Sequence, residues 1–172
     1  MVHHARRLLL LLLLCSAALA FAQQPPLNSP LLDHLAGKWV LRGTIGGKET
    51  THDVNAEWVL EHHYLAIHEV SREKNAKGEP QYEATIYIAW NETTKDYACV
   101  WLDAYGGLNS TSIGVASLKE NELPFVFKDE KGEVSFKNDF VYDATASAWE
   151  WRMDNIANGV AKPFGRVKLS RD

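Results

Sequence analysis

The sequence predicts an all-β protein: a single closed antiparallel barrel of about ten up-and-down strands, preceded by one short helix. Three observations carry this. Apolar and polar residues alternate in runs at hairpin spacing from Trp39 to Ser170. Glycine, asparagine and aspartate turn chemistry bounds the runs. No helix-period pattern returns after Gly37, so the sheet must bury its apolar face by closing on itself.

In chain order, residues 1–22 read as a signal peptide. Arg6-Arg7 form a positive start, Leu8 to Leu14 an apolar centre, and Ala20-Phe21-Ala22 a small-x-small cleavage site. That apolar stretch is short for a bilayer span, and no later run approaches one, so no membrane span is expected. Lipidation at Cys15 is the rival reading, but Leu14 stands where a small residue is needed. Cleavage after Ala22 leaves residues 23–172, a one-domain length, with a periplasmic or secreted destination. Residues 23–28, with two prolines, form an extended leader, and residues 29–172 the barrel domain.

Ser29 suits a helix cap, Pro30 the first helical position and Gly37 the stop, with Leu31, Leu32 and Leu35 on one apolar face. Such a helix is placed to plug the barrel. The expected strands are Trp39–Ile45, Glu49–Leu60, Tyr64–Arg72, Tyr82–Trp90, Asp96–Asp103, Thr111–Leu118, Phe125–Lys128, Val134–Tyr142, Trp149–Ile156 and Phe164–Ser170. No repeat or linker marks a second domain.

The formal net charge is −4, and loss of Arg6 and Arg7 makes it more acidic by two. An acidic chain without basic clusters argues against a nucleic-acid partner. Only Cys99 remains after processing, which leaves no internal disulfide. Its strand-like surroundings make it a small buried apolar residue rather than a nucleophile. Apolar residues on both faces of Tyr97–Leu102 imply a covered outer face, by a partner in a homodimer or by the leader.

Alternation assigns the faces. Thr50, His52, Val54, Ala56 and Trp58 point inward, because Glu49, Thr51, Asp53, Asn55 and Glu57 are polar throughout. Phe136, Asn138 and Phe140 likewise share an inner face, as do Trp149, Trp151, Met153 and Asn155. An interior this aromatic, with polar groups among the rings, points to a cavity holding a ligand. A barrel filled by the same rings is the competing reading. The expected ligand-binding residues are His52, Trp58, Tyr82, Trp101, Phe136, Asn138, Phe140, Trp149, Trp151 and Asn155. Tyr82, Asn138 and Asn155 would orient the polar end of a small, largely apolar molecule.

His62-His63 with Glu61 sits at a strand boundary and reads as a surface turn. If the face of Tyr64, Ala66, His68 and Val70 points inward, His68 enters the cavity; if Leu65, Ile67 and Glu69 point inward instead, it stays outside. Counting outward from the Glu61-His62-His63 turn sets His52 opposite a residue near Arg72, about 13 Å from His68. No two-histidine metal or haem site is therefore expected, and no cofactor. Gly-x-Ser-x-Gly, His-Glu-x-x-His and phosphate-loop motifs are absent from the sequence. Asp103 before Gly106-Gly107 reads as a turn former, with a place at the barrel mouth as the alternative. No catalytic residue is assigned, although His52 could serve as a general base if an acid oriented it.

Leu32-Asp33-His34-Leu35-Ala36-Gly37-Lys38-Trp39, the glycine turn and Glu57-Trp58-Val59-Leu60 resemble a family of bacterial lipocalin-like proteins, the domain of unknown function 1579. The closing Val134–Ser170 segment is similar too. Gly37-x-Trp39 also matches the first strand of lipocalins and other calycins, whose tryptophan packs across the barrel floor. The resemblance implies a calycin-like barrel with a small apolar ligand, and it supplies no catalytic residues. Together these readings give a small-molecule-binding protein. The alternatives are a cavity enzyme of hydrolase or isomerase type, and an envelope interaction or structural module.

Overall fold

The computed structural model describes residues 26–108 and 110–171, so the expected signal peptide lies outside the described residues. Helix α1 (Pro30–Leu35) precedes ten strands. These are β1 (Gly37–Ile45), β2 (Lys48–Val59), β3 (Tyr64–Ser71), β4 (Glu83–Asn91) and β5 (Asp96–Asp103), followed by β6 (Ile113–Ala116), β7 (Glu122–Lys128), β8 (Val134–Asp143), β9 (Ala148–Ala157) and β10 (Val160–Ser170). Consecutive strands pair antiparallel, and β1 pairs with β10 to close the barrel. Among the described residues no helix is long and apolar enough to cross a membrane.

Strand ends depart from the sequence expectation where prolines sit. β7 begins at Glu122 rather than Phe125, and it contains Pro124. β6 pairs with β7 only at Gly114↔Phe127 and Val115↔Val126, so the missing N–H of Pro124 removes no bond from that side. β10 begins at Val160, and its register shifts between Pro163 and Gly165, where a bulge absorbs the second proline.

Closure between β1 and β10 depends on Gly43. Its φ is +149°, and a Cβ there would lie 2.2 Å from the Arg166 carbonyl oxygen and 2.8 Å from Val167 Cα. Both are backbone atoms of the facing strand, so the two strands approach as closely as they do only because Gly43 has no side chain.

The two ends of the barrel differ. At one end Leu31, Leu32 and Leu35 of α1 join Trp39, Leu41, Phe140 and Trp149 in a continuous apolar cluster. Polar atoms there are matched. Trp39 Nε1–H donates to the Leu35 carbonyl at 2.7 Å, and Trp149 Nε1–H to that of His34 at 3.4 Å. Tyr97 donates to Ser29 Oγ at 3.0 Å, while Ser29 accepts from the Leu32 N–H as helix cap. Fully burying each such leucine or aromatic ring contributes about 1.5–3 kcal/mol, which makes this end a solid core. Cys99 belongs to it, and burial pushes its thiol up to about 12, so it is protonated and unreactive.

The outer faces of β5 and β6 carry Leu102, Ile113 and Val115, all exposed. Residues 26–28 do not cover them. The Leu27 N–H instead donates to the His62 carbonyl at 2.9 Å, beside a groove shared with Trp90 and Tyr97.

Candidate functional site

In an up-and-down barrel one mouth gathers the C-terminal ends of odd strands and the N-terminal ends of even ones. Here that mouth, opposite α1, opens into a cavity of about 660 Å³. Five polar or charged residues are buried among those described, and four of them, His52, Glu69, Ser71 and Asn138, line this cavity. Polar burial in this protein is thus concentrated where a ligand could sit.

The β2–β3 wall is a hydrogen-bonded chain. His52 pairs across the strands with Ser71, and alternation along β3 turns Leu65, Ile67, Glu69 and Ser71 inward. His52 Nδ1 contacts Glu69 Oε1, and both side chains are almost fully buried. On the other ring edge, Thr50 Oγ1 lies 2.7 Å from His52 Nε2 and 2.9 Å from Glu73 Oε2. Ser71 Oγ–H also donates to Glu73 Oε2 at 2.9 Å, and the Thr51 N–H donates to Oε1 at 2.9 Å. Burial works to raise the Glu73 carboxyl, but these hydrogen bonds together hold it below the ordinary glutamate range.

The Thr50 hydroxyl has one proton and two acceptors facing it. With a neutral His52 ring that donates from Nδ1, Thr50 donates to Nε2. Protonating Nε2 makes the ring a donor to Thr50, which then donates to Glu73. In the first state no proton lies between Thr50 and Glu73, which keeps its Ser71 and Thr51 donors; in the second the chain runs unbroken from His52 through Thr50 to Glu73.

The facing wall is aromatic. Tyr82 stacks on His52 with ring centroids 5.7 Å apart, and its hydroxyl accepts from Trp101 Nε1–H at 2.9 Å. Burial, reinforced by the charge on Glu69, pushes the Tyr82 phenol well above its usual range, so its O–H proton stays in place. Trp101 meets Trp151 edge-on at 6.4 Å, while Phe136, Met153 and Phe164 continue the surface. At the floor, the Oδ1 and Nδ2 atoms of Asn138 and Nε1 of Trp151 are buried without a hydrogen-bond partner. Both residues have 0% exposure. An unmet buried polar group costs about 1–3 kcal/mol, which sets these atoms apart from the matched ones elsewhere.

Of the residues expected at the site, the structure brings together His52, Tyr82, Trp101, Phe136, Asn138 and Trp151. Four others lie elsewhere. Phe140 stacks under Trp151 at 4.3 Å, and Trp149 packs beside Tyr142; both belong to the solid core. Trp58 is at the α1 end, where it stacks on His62 at 4.0 Å and donates to Asp33 Oδ1 at 3.0 Å. Asn155 is exposed near the end of β9 and is not among the cavity-lining residues, so the expected interior position is corrected, although it shares the phase of Met153.

His68 takes the outward option, pairing with Glu83 at 2.8 Å, so the two imidazoles stand on opposite faces of the wall. Asp103 fills both roles weighed for it, accepting from the Tyr105 N–H at 2.9 Å and lining the mouth. Glu69, Ser71 and Glu73 were not anticipated. The signal available was that Glu69 shares the phase of Leu65 and Ile67, but β3 is apolar in both phases.

No protein-family model matches the chain, and no curated protein matches it in sequence.

Proposed function

We propose that this chain is an exported, calycin-like binding protein, periplasmic or secreted, that holds one small molecule in its barrel. The body of the ligand would be largely apolar. The observation that carries the reading is the cavity floor: Asn138 and Trp151 are among the residues that line the cavity and carry fully buried, unmet donors and an acceptor. A ligand that supplies those partners would satisfy these donors and the acceptor. The volume falls in the range of small-molecule pockets, about 300–1,000 Å³. The helix ahead of β1 supports the calycin-like reading, since it sits with Trp39 at one end and leaves the other open. So does the likeness of the Leu32–Trp39 segment to the lipocalin-like family.

The test is a titration of the purified protein with a broad panel of small apolar and amphipathic compounds, followed by tryptophan fluorescence. Trp101 and Trp151 line the cavity, so binding predicts a saturable change that an Asn138→Leu variant weakens. A flat response across the panel would contradict the reading.

A second reading, a cavity enzyme using His52 as general base, is favoured by one observation. Glu69 is the orienting acid that such a base requires, and it contacts Nδ1. Thr50 occupies the Nε2 side, so a substrate proton would reach the ring through that hydroxyl or after displacing it. Turnover of any panel ligand, abolished in His52→Gln while binding persists, would favour this reading over simple binding.

A further inference from the structure

The cavity is unequal in charge and in hydrogen bonding from mouth to floor. Its lining carries four carboxylates, Glu49, Glu69, Glu73 and Asp103, against a single ammonium, Lys48, and no guanidinium. Arg72, next to Glu73 in sequence, turns outward instead and pairs with Asp53 at 2.6 Å. Glu69 is matched by His52, whereas the described donors to Glu73 and Asp103 are neutral hydroxyl and amide groups. Their negative charge is therefore solvated by dipoles and not cancelled by a cation.

Beside these carboxylates stand the faces of Tyr82, Tyr105 and Trp101, with Tyr82 and Tyr105 centroids 6.0 Å apart. Carboxylates among aromatic rings favour a positively charged guest twice over, by Coulomb attraction and by the ring quadrupoles. The same surroundings repel a carboxylate head, which disfavours fatty acids. A metal ion fits less well than an organic cation. Among the described residues no group of three or more His, Cys, Asp or Glu is placed to hold one.

The floor asks for something different. Asn138 Nδ2 and Trp151 Nε1 are donors and Asn138 Oδ1 is an acceptor, so all three are met by an uncharged group that both accepts and donates. A carboxamide can pair with both ends of the Asn138 side chain, and a hydroxyl can meet one end of it together with Trp151, whereas an alkyl end leaves every one unmet.

We propose that the ligand is a small organic cation: a protonated amine seated among Glu73, Asp103 and the tyrosines at the mouth, on an apolar body, with a hydroxyl or carboxamide reaching Asn138 and Trp151. This deepens the binding reading above and rests on it. The two ends of the molecule are recognised by independent groups, so each can be removed separately.

Calorimetric titration with matched triplets tests it: an arylalkylamine, the corresponding alcohol and the corresponding carboxylate, built on phenyl, hydroxyphenyl and indolyl bodies. Tyramine, tyrosol and para-hydroxyphenylacetate form the hydroxyphenyl set. The amine is expected to bind about tenfold or more tighter than the alcohol, and the carboxylate most weakly. Glu73→Gln and Asp103→Asn should each shrink the amine-to-alcohol ratio while leaving alcohol binding in place, which also shows that the variants are folded. Asn138→Leu should erase the advantage of tyramine over phenethylamine. Alcohols or carboxylates binding as tightly as amines would overturn the proposal. So would binding of apolar compounds from the broad panel with none by any amine; in that case the binding reading survives. Failure of both panels overturns the two together.

Discussion

Asn138 places a carboxamide with unmet hydrogen bonds at zero exposure, a choice that works against the stability of the unliganded protein. Replacing it with leucine of similar size removes the unmet groups, so Asn138→Leu is expected to raise unfolding free energy by about 1–2 kcal/mol in urea. A less stable variant would mean that Asn138 serves folding and not a ligand. Glu69→Leu works in the opposite direction, because it strips the acceptor from a buried imidazole. A loss of about 1–3 kcal/mol is expected, partly restored in the His52→Leu/Glu69→Leu double variant. Additive losses would show that the pair is not coupled.

Glu73 gives a pH signature. Its carboxyl is depressed in the folded state relative to the ordinary value of 4.5. Its stabilisation is therefore complete above about 4.5 and lost as pH falls through the lower folded value. The melting temperature of Glu73→Gln should lie below that of the parent at neutral pH, with the gap closing as acid protonates Glu73. A gap that is constant down to strongly acidic pH would contradict the assignment. At this scale the sequence exposes residues on strands with one polar face. His52 and Asn138 are legible because Glu49–Glu57 and Ser135–Asp139 alternate cleanly. Glu69 is not, because Tyr64, Ala66 and Val70 mimic an inward set. Asn155 fails for another reason: alternation gives the face of a strand but not how far along it the wall extends.

Strands are legible from turn chemistry, and the ten expected runs correspond to the ten of the barrel. Their ends are not, since they depend on neighbours. Pro124 and Pro163 look like strand breakers in isolation, yet a short β6 and a bulge in β10 accommodate them. Closure is expected from the sequence, but the register of the closing pair is not legible in it, because β1 and β10 are far apart along the chain. Gly43 is its most exposed weak point. Gly43→Ala would drive a methyl into the Arg166 carbonyl, so a destabilisation of about 1–3 kcal/mol or more is expected by thermal or urea unfolding. A neutral substitution would show that β1 and β10 can separate without cost.

Across the whole molecule the barrel is neither simply filled nor simply hollow. The α1 half is solid, with Phe140, Trp149 and the helix leucines in one cluster, while the opposite half holds the cavity. Sequence alternation predicts how many rings point inward, but not that they sort to one end. The buried Leu31, Leu32 and Leu35 of α1 belong to that cluster.

The six tryptophans report the division directly. Four indole N–H groups, those of Trp39, Trp58, Trp90 and Trp149, are bound to protein acceptors away from the cavity. Trp101 and Trp151 lie in its wall and floor, the first bound to Tyr82 and the second without a partner. Nitrogen-15 NMR of the indole groups during titration with an arylalkylamine reads ligand entry at the cavity floor. Saturable shifts are expected at Trp101 and Trp151, largest at Trp151 as its N–H gains an acceptor, with the other four nearly unmoved. Shifts confined to Trp39, Trp58, Trp90 or Trp149, or no saturable shift at Trp151 with any cavity ligand, would contradict ligand entry there.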